Sequence, residues 1–505
     1  MEMTGEKQTK KRGLLAALLC AVLLFAGAVS FFAARWYRAT YGDVGFDAIL
    51  YTLLAGVEGA EAGLMGSFVR RALLPALAVT ALLALFFFPP VKRGLALCIR
   101  GRKVYPLPRA GSVLCSVILS AALLLTAAAR VDLPGYVAYR SATSTIFEER
   151  YVDPAQATIT FPEKKQNLIY IYLESVETTF LPQELGGGSQ VDVLPGLYAL
   201  ARENVNFSHN SGVGGFSSLA GSTWTIGAMV AATAGVPLKV PPGIGINDYG
   251  EGSFLPGLVT LSDVLHDNGY YQALMVGSPA VFGGRRQYYE QHGTDCIYDI
   301  DTARQEVVPW DYVVWWGMED LHLFEYAKRV LPEMARAEQP FAFTMLTVDT
   351  HHVGGYICQL CGEEYDEQYE NVLACSDRQV SQFVDWLKQQ DFYGDTTVII
   401  AGDHPTMDND YVTRRLAPDV PRTVYNCFLN PRARTDNTKN RVFCSLDMFP
   451  TTLAAMGCTI EGDRLGLGTD LFSSTPTLCE ELGRDAFEAE QAKQSDYYTR
   501  NFFFP

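Results

Sequence analysis

The stretch NLIYIYL, at Asn167–Leu173, decides the fold class of this chain. Its unbroken run of aliphatic, β-branched and aromatic residues is typical of a strand that is buried on both faces of a parallel sheet. FAFTMLTV at Phe341–Val348 and TVIIA at Thr397–Ala401 have the same character. Leu258–His266 and Tyr369–Gln389 instead carry apolar residues at helical spacing. Strands that alternate with helices predict a three-layer α/β sandwich with a mostly parallel sheet.

Each of the three strands is followed by residues that can bind a metal or move a proton. Glu174 follows the first strand, Asp349 and His351 follow the second, and Asp403 and His404 follow the third. Any single carboxylate in such a place could be a helix cap or a surface charge. Open α/β sheets, however, bind ligands beyond the carboxyl ends of their strands. The recurrence at three strand ends therefore indicates a functional site.

A second stretch, SLAGSTWTIGAMVAATAGVPL at Ser218–Leu238, predicts a loop that leads into a buried helix. Thr223 is expected near the helix N-terminus, where unpaired N–H groups and the helix dipole favour an oxyanion or a phosphate. Two interpretations remain open from this stretch alone. Thr223 is a nucleophile, or Ser222 or Thr223 is merely an N-cap.

The residue types at the strand ends favour metal-assisted chemistry. Glu174, Asp403 and His404 supply two carboxylates and one imidazole, a set suited to Mn²⁺, Mg²⁺ or Zn²⁺. Threonine is a weak nucleophile, so a metal in contact with the Thr223 hydroxyl would be needed to activate it.

Three further residues are candidates for substrate binding. His351 is the predicted general acid–base, because imidazole titrates near neutral pH, and His352 is next in line. Arg285, in the segment Gly283–Arg286, offers a planar guanidinium for bidentate phosphate binding. The alternative for this segment is an ordinary surface turn with solvated arginines.

Three apolar runs at the start of the chain, Leu14–Ala34, Ala72–Pro89 and Gly111–Ala129, have membrane-spanning length. A cleaved signal peptide could explain the first run but not the other two. Basic residues precede the first run and fill Val91–Ala110, which contains no acid, so both segments are expected in the cytoplasm. The rest of the chain is then outside. Phe46–Leu54 is too short to span and is expected to lie in the interface or to re-enter.

We therefore predict an all-α membrane region at 1–130, a connector at 131–166, an extracytoplasmic catalytic domain at 167–475 and a peripheral tail at 476–505. The first 130 residues carry a net charge of +9 and the remainder −25, which together give the −16 of the whole chain. An acidic exterior domain argues against nucleic acid as a partner. Any phosphate must then be held locally, by a metal or by a few cationic side chains.

Eight of the eleven cysteines follow the apolar runs, and Cys358, Cys361 and Cys375 are close together in sequence. A disulfide that closes a small loop fits an oxidising exterior. A Cys-x-x-Cys metal knuckle is the competing interpretation, although a second pair at the usual spacing is missing from the sequence.

Five motifs, GSTWTIGAMVAATAGVPL, NLIYIYLESVE, TVDTHH, AGDHP and SLDMFPTTLAAMG, together resemble the phosphoglycerol transferases of the alkaline phosphatase–sulfatase superfamily. Lipoteichoic acid synthases are more distant members of the same group. The resemblance covers residues 165–475 and implies a single-metal site, usually manganese, formed by Glu174, Thr223, Asp403 and His404. It also implies that Thr223 is the covalently modified nucleophile.

The resemblance extends to substrate binding. It implies that His351 binds substrate and exchanges protons, and that Arg285 holds the glycerol phosphate. Pro405, and Val353–Gly354 after the histidine pair, depart from the usual family pattern without removing a ligand. The chain contains no Cys-x-Pro-x-Arg sequence, so the formylglycine nucleophile of true sulfatases cannot be formed.

The function implied is that of a multi-pass cell-membrane enzyme. It would transfer glycerol phosphate from phosphatidylglycerol, through a phosphorylated threonine, to a glycan or polyglycerol-phosphate acceptor. A phosphoethanolamine transferase and a metal-dependent phosphodiesterase of the same superfamily are alternatives. An inactive lipid or glycan sensor is an alternative from another class.

Overall fold

The computed structural model describes residues 2–41, 49, 62–87, 97–99, 102–104, 109–239, 253–337, 339–351 and 353–503. The chain divides into two compact units, residues 1–43 with 61–136 and residues 44–60 with 137–505. Apart from residue 49, the segment Phe46–Leu54 lies outside the described residues, and so does His352.

The first unit is mainly helical. Three of its helical stretches are long and apolar enough to cross a membrane: Leu14–Tyr41, Met65–Phe87 and Ala110–Arg130. They lie within the helices Glu2–Tyr41, Ala62–Phe68, Val69–Leu73 (a π-helical turn), Leu74–Phe87 and Arg109–Arg130; a short antiparallel pair joins Leu97–Ile99 to Arg102–Val104. The three apolar runs predicted from the sequence are thus confirmed as helices over their described residues, and they give the chain the character of a membrane protein.

The second unit is built on a six-stranded sheet. Its strands in chain order are β1 Asn167–Leu173, β2 Tyr271–Val276, β3 Cys296–Tyr298, β4 Phe341–Leu346, β5 Thr396–Gly402 and β6 Asn426–Leu429. They lie side by side in the order β3-β2-β4-β1-β5-β6, and every neighbouring pair is parallel except β5 with β6. The predicted mostly parallel sheet is confirmed, and β1 lies inside it, as its apolar sequence requires.

Helices connect and cover these strands. They are α1 Pro195–Glu203, α2 Thr225–Ala234, α3 Leu261–Asp267, α4 Arg285–Gln291, α5 Ile300–Glu306, α6 Asp320–Ala335, α7 Gln368–Leu387, α8 Asn409–Arg415 and α9 Met448–Ala455. Helices Leu133–Ser141 and Ile146–Arg150 precede the sheet in sequence, and two short antiparallel pairs join Ile159–Thr160 to Thr459–Ile460 and Arg464–Leu465 to Gly468–Thr469.

Side-chain alternation along β1 explains the layers. Ile169 and Ile171 point into one apolar core, shared with residues of α1, α6 and α7. Tyr170 and Tyr172 point to the opposite face, where their rings stack with centroids 4.3 Å apart. Tyr289 of α4 is buried close to Tyr170 on that face. The sheet is therefore covered on both sides, as a three-layer sandwich requires.

The C-terminal segment, expected to be a peripheral tail, is instead packed into the second unit. Its helices are α10 Leu478–Leu482, α11 Arg484–Ala492 and α12 Asp496–Tyr498, followed by a π-helical turn at Thr499–Phe503. Phe487, Tyr498 and Phe502 are buried. Glu488 and Gln491 hydrogen-bond the backbone of Ala220, at 2.9 and 2.8 Å. The segment is acidic in composition, but its few buried apolar residues hold it against the loop that precedes α2.

Candidate active site

Strand register places the predicted acidic residues next to each other. Leu173 of β1 is paired with Gly402 of β5, so Glu174 and Asp403 leave adjacent strands at the same level of the sheet. One ligand atom from each of Glu174, Asp403 and His404 lies within 4.8 Å of the others, and all three residues are buried. The structure therefore brings together the three residues that were predicted as metal ligands.

The orientation of His404 suits a metal ligand. Its Nδ1 lies 2.9 Å from the carbonyl oxygen of Pro405, which can only accept a hydrogen bond, so Nδ1 carries the proton. The free Nε2 faces Oε1 of Glu174 at 3.6 Å and Oδ2 of Asp403 at 3.4 Å. A carbonyl that fixes the tautomer of a ligating histidine is a usual outer partner of a metal site. Pro405, which departs from the family pattern, thus keeps this function through its backbone.

Ser175 holds the two carboxylates in place. It adopts a left-handed backbone conformation, with φ of 58°. Its N–H donates to Oδ1 of Asp403 at 2.7 Å, and its hydroxyl donates to Oε1 of Glu174 at 2.8 Å. The N–H of His404 also donates to Oδ1 of Asp403, at 2.7 Å. Oδ2 of Asp403 is buried and accepts no hydrogen bond from the described residues, so this oxygen is available to a cation.

The charges within the cluster repel one another. Burial and the neighbouring Glu174 raise the pKa of Asp403 to about 7. Burial also opposes ionisation of Glu174, but the imidazoles of His351 and His404 outweigh it, and the pKa of Glu174 is lowered. Two buried carboxyl groups at this distance cannot both ionise cheaply without a positive charge between them. The donor set of carboxylates and imidazole fits one divalent cation that prefers oxygen and nitrogen ligands.

The threonine next to this cluster is Thr225, and this corrects the prediction of Thr223. Oγ1 of Thr225 lies 3.3 Å from Oε2 of Glu174 and 3.4 Å from Nε2 of His404. Helix α2 begins at Thr225, two residues later than the sequence suggested. Ser222, one of the two residues considered as an alternative N-cap, instead closes a turn with the backbone of Leu219. Thr225 therefore presents a hydroxyl that can share a cation with the cluster.

His351 lies at the rim of the site, against tryptophans that sequence reasoning missed. Its ring centroid is 4.0 Å from that of Trp316 and 6.0 Å from that of Trp315. Trp315 in turn stacks on Tyr356, with an interplanar angle of 19°. The imidazole of His351 is among the influences that lower the pKa of Glu174, so its ring is within electrostatic reach of the cluster. The sequence feature that could have indicated this aromatic contact is the adjacent pair Trp315–Trp316 in the loop before α6.

Asp349, the third strand-end carboxylate, has a different role from Glu174 and Asp403. Its Oδ1 accepts the backbone N–H of Asp320 at 3.1 Å, at the start of α6. The carboxylate of Asp320 accepts the N–H of Val348 at 2.7 Å. Burial raises the pKa of Asp320 to about 7 and, together with the facing Asp320, raises that of Asp349. This carboxyl pair fixes the loop that carries His351.

Arg285 is buried, which excludes the alternative of a solvated surface arginine. Its guanidinium donates to Ser278 at 2.8 Å and to the carbonyls of Pro279 and Phe282, both at 3.0 Å. Gly283 precedes it with φ of 66°, a conformation that disfavours residues with a Cβ. Arg285 also contributes to lowering the pKa of Glu174, so its charge reaches the cluster.

An ion pair between the buried Glu177 and the partly exposed Arg422, which the sequence did not reveal, supports the loops of the cluster. Glu177 is fully buried and accepts two hydrogen bonds from the guanidinium of Arg422. Glu177 also accepts the N–H of Thr406 at 3.1 Å, and Arg422 donates to the carbonyl of Thr406 at 2.7 Å. The pair thus ties the loop after Glu174 to the loop after His404.

Comparisons with known proteins identify relatives of this chain. Phosphoglycerol transferase I of Escherichia coli O81 (strain ED1a) is 30% identical over 397 residues, which cover 75% of this chain and 47% of that protein. Phosphoglycerol transferase I of Xanthomonas euvesicatoria pv. vesicatoria (strain 85-10) is 32% identical over 284 residues, 54% of this chain and 39% of that protein. The chain thus spans about half the length, or less, of these curated relatives.

Among solved structures, the lipoteichoic acid synthase LtaP from Listeria monocytogenes matches with a TM-score of 0.48 and 19% identity. The match covers 65% of this chain and 80% of that one. The sulfatase family model matches residues 166–458, which is more than half of the chain and includes Glu174, Thr225, Asp403 and His404. The resemblance inferred from the motifs is confirmed: the chain belongs to the sulfatase family.

Proposed function

We propose that this protein is a membrane-bound phosphoglycerol transferase with Thr225 as its nucleophile. The observation that carries the proposal is the position of the Thr225 hydroxyl, within 3.4 Å of both Glu174 and His404 at the first residue of a helix. The relatives named phosphoglycerol transferase I support the choice of reaction.

The proposed donor is phosphatidylglycerol. Oγ1 of Thr225 attacks the phosphorus, the bond from phosphorus to the diacylglycerol oxygen breaks, and diacylglycerol leaves with a proton. Threonine then carries the glycerol phosphate as a phosphodiester. In the second step an acceptor hydroxyl attacks the same phosphorus, and the threonine oxygen regains a proton. The acceptor we propose is a hydroxyl of a glycan or of a polyglycerol-phosphate chain.

The residues of the site would divide the work as follows. Glu174, Thr225, Asp403 and His404 would hold one divalent cation, Mn²⁺ in our assignment, which supplies Lewis-acid activation and neutralises phosphoryl charge when bound. His351, at the rim, would give a proton to the leaving alcohol and take one from the acceptor. Arg285 adds a fixed positive charge near the reacting phosphoryl group.

Membrane attachment suits a lipid donor. With the N-terminus and the loop before the third span in the cytoplasm, the second unit is outside the membrane, where the glycans of the cell envelope are assembled. The negative charge of this unit agrees with a phosphate that is held locally rather than by a broad basic surface.

The test uses the full chain in vesicles of phosphatidylglycerol with Mn²⁺ and a glucan acceptor. We expect one diacylglycerol for each glycerol phosphate found on the acceptor. A parallel reaction with phosphatidylethanolamine should give little product. Preferred use of that lipid would identify a phosphoethanolamine transferase instead, and release of glycerol phosphate to water alone would identify a phosphodiesterase.

A further inference from the structure

Three cysteine sulfurs converge in the segment that follows His351. Cys358 and Cys361 belong to the loop before α7, and Cys375 lies within α7. The sulfur of Cys358 is 3.8 Å from that of Cys361 and 3.7 Å from that of Cys375. The three sulfurs form a group that could hold a metal ion, separate from Glu174, Asp403 and His404.

The spacing of these sulfurs fits a tetrahedral metal. Zinc binds thiolates at about 2.3 Å, so two sulfurs on neighbouring corners of its tetrahedron are about 3.8 Å apart. The sulfur of Cys358 has this spacing to both of its neighbours. A disulfide would use only two of the three cysteines, whereas a metal site gives each of them a function.

The local backbone prepares the group. The N–H of Cys361 donates to the carbonyl of Cys358 at 3.1 Å, which closes the Cys-x-x-Cys turn. The N–H of Leu360 points at the sulfur of Cys358 from 3.4 Å. Backbone N–H groups directed at a ligand sulfur are a usual outer partner of thiolate sites. The turn therefore presents both sulfurs toward α7.

Helix α7 supplies the other side of the group. Cys375 and Gln379 are four residues apart and so lie on the same helix face. Nε2 of Gln379 is 3.4 Å from the sulfur of Cys375 and 4.0 Å from that of Cys358. The side-chain amide of Gln379 thus hydrogen-bonds two of the three sulfurs, and it would stabilise them further as thiolates.

Two of the three sulfurs are shielded from solvent, and the third is partly accessible. Cys358 and Cys375 are buried, while Cys361 is half-buried. A cation can reach the group from the side of Cys361.

We propose that Cys358, Cys361 and Cys375 bind one structural Zn²⁺ ion as thiolates. Binding releases three thiol protons to solvent, and no change of oxidation state occurs. The site would fasten the loop behind His351 to α7. Gln368 of α7 already donates to the carbonyls of Gly354 and Gly355 in the same loop, at 3.1 and 3.0 Å.

The test measures metal content in the purified full chain. In the Asp403→Asn variant, which weakens the other metal site, we expect one zinc per chain. Adding Cys358→Ser should remove that zinc, whereas adding Cys296→Ser, at a cysteine remote in sequence, should keep it. Zinc that persists without Cys358, or a disulfide peptide that joins two of the three cysteines in zinc-free protein, would overturn the proposal.

A spectroscopic test avoids any folding defect of the variants. The wild-type chain is stripped with a chelator and loaded with Co²⁺. Cobalt bound by three thiolates shows strong near-ultraviolet charge-transfer absorption, which cobalt on carboxylates and imidazole lacks. We expect an absorption that corresponds to one thiolate-bound cobalt per chain. Its absence from loaded protein would contradict the thiolate site, whatever the state of the proposed transferase site.

Discussion

The Thr225 hydroxyl is at the first residue of α2, where the backbone N–H groups of the first helical turn have no partner inside the helix. Glu174 and His404 approach the same hydroxyl from two neighbouring strand ends. A phosphoryl group bonded to this oxygen would therefore meet a helix N-terminus and a cation site together. Thr223, two residues earlier, lies in the loop before the helix.

The two threonines make a matched pair for mutagenesis. Thr225→Ala removes the oxygen of the proposed nucleophile, so we expect transferase activity to fall by about 10⁴-fold or more. Thr223→Ala should change activity by less than about tenfold. Thr225→Ser keeps a hydroxyl and should retain part of the activity. The measurement is the initial rate of diacylglycerol release; equal losses in the Thr223 and Thr225 variants would refute the assignment.

Asp403 makes the dependence on metal testable. Asp403→Asn replaces the carboxylate, whose buried Oδ2 accepts no hydrogen bond from the described residues, by an uncharged amide, so the Mn²⁺ concentration for half-maximal activity should rise by at least about tenfold. Asp410→Asn, at a largely exposed position, is the control and should leave it unchanged. Activity lost to a chelator should return with added Mn²⁺. An Asp403→Asn enzyme with wild-type metal dependence would remove Asp403 from the ligand set.

At the scale of elements, the positions of the site residues depend on the loops after β1 and β5, which an ion pair outside the site holds together. Glu177, in the loop after β1, forms an ion pair with Arg422, and both residues hydrogen-bond Thr406 in the loop after β5. The pair therefore joins the two loops. Glu177 is fully buried, so its charge is stabilised by the guanidinium of Arg422 together with the hydroxyl of Thr179 and the N–H of Thr406. This pair therefore positions Glu174 and His404 without touching the reacting atoms.

Breaking the pair should be costly. Arg422→Met removes the cation from the buried Glu177 carboxylate, which keeps only neutral donors in Thr179 and Thr406, so we expect the protein to be destabilised by about 1.5–3 kcal/mol. The measurement is the midpoint of thermal unfolding in detergent, which should fall clearly. Arg414→Met breaks an ion pair to Glu367 at the surface and is the control, with little change expected. Equal midpoints for the two variants would show that the Glu177–Arg422 pair is dispensable.

The elements also show what could be predicted from the sequence and why the rest could not. Asn167–Leu173 was recognisable as a buried strand because its apolar run has one structural explanation, and the carboxylate after it followed from strand topology. The start of α2 was not recognisable. Its N-cap is Trp224, which has no side-chain oxygen, while Ser222 hydrogen-bonds Leu219. N-cap preferences therefore placed the cap two residues before the observed one. Only the folded loop reveals which threonine faces Glu174.

At the scale of the whole molecule, long-range contacts decided what local patterns could not. The C-terminal segment looked like an acidic tail, yet Glu488 and Gln491 hold the backbone of Ala220 in the loop before α2. The brace between Glu177 and Arg422 likewise joins residues 245 positions apart. No pattern of neighbouring residues in the sequence predicts either contact. The apolar helices, by contrast, are recognisable from length and composition alone.

Charge distribution around the apolar helices predicts the orientation of the chain. Four basic residues precede the first span, and six occupy Val91–Ala110. These segments should stay in the cytoplasm. An epitope inserted at Asp436, an exposed position of the second unit, should bind antibody on cells with an intact inner membrane. An epitope at Lys7 should bind only after permeabilisation. The reverse labelling pattern would contradict the proposed topology.

The central claim is that Thr225 becomes covalently modified, and mass spectrometry tests it most directly. The full chain is incubated briefly with phosphatidylglycerol and Mn²⁺ without an acceptor, quenched in acid and digested. We predict a peptide that is heavier by one phosphoglyceryl group, with fragment ions that place the addition on Thr225. An addition on Thr223, or turnover with no modified threonine at all, would contradict the account.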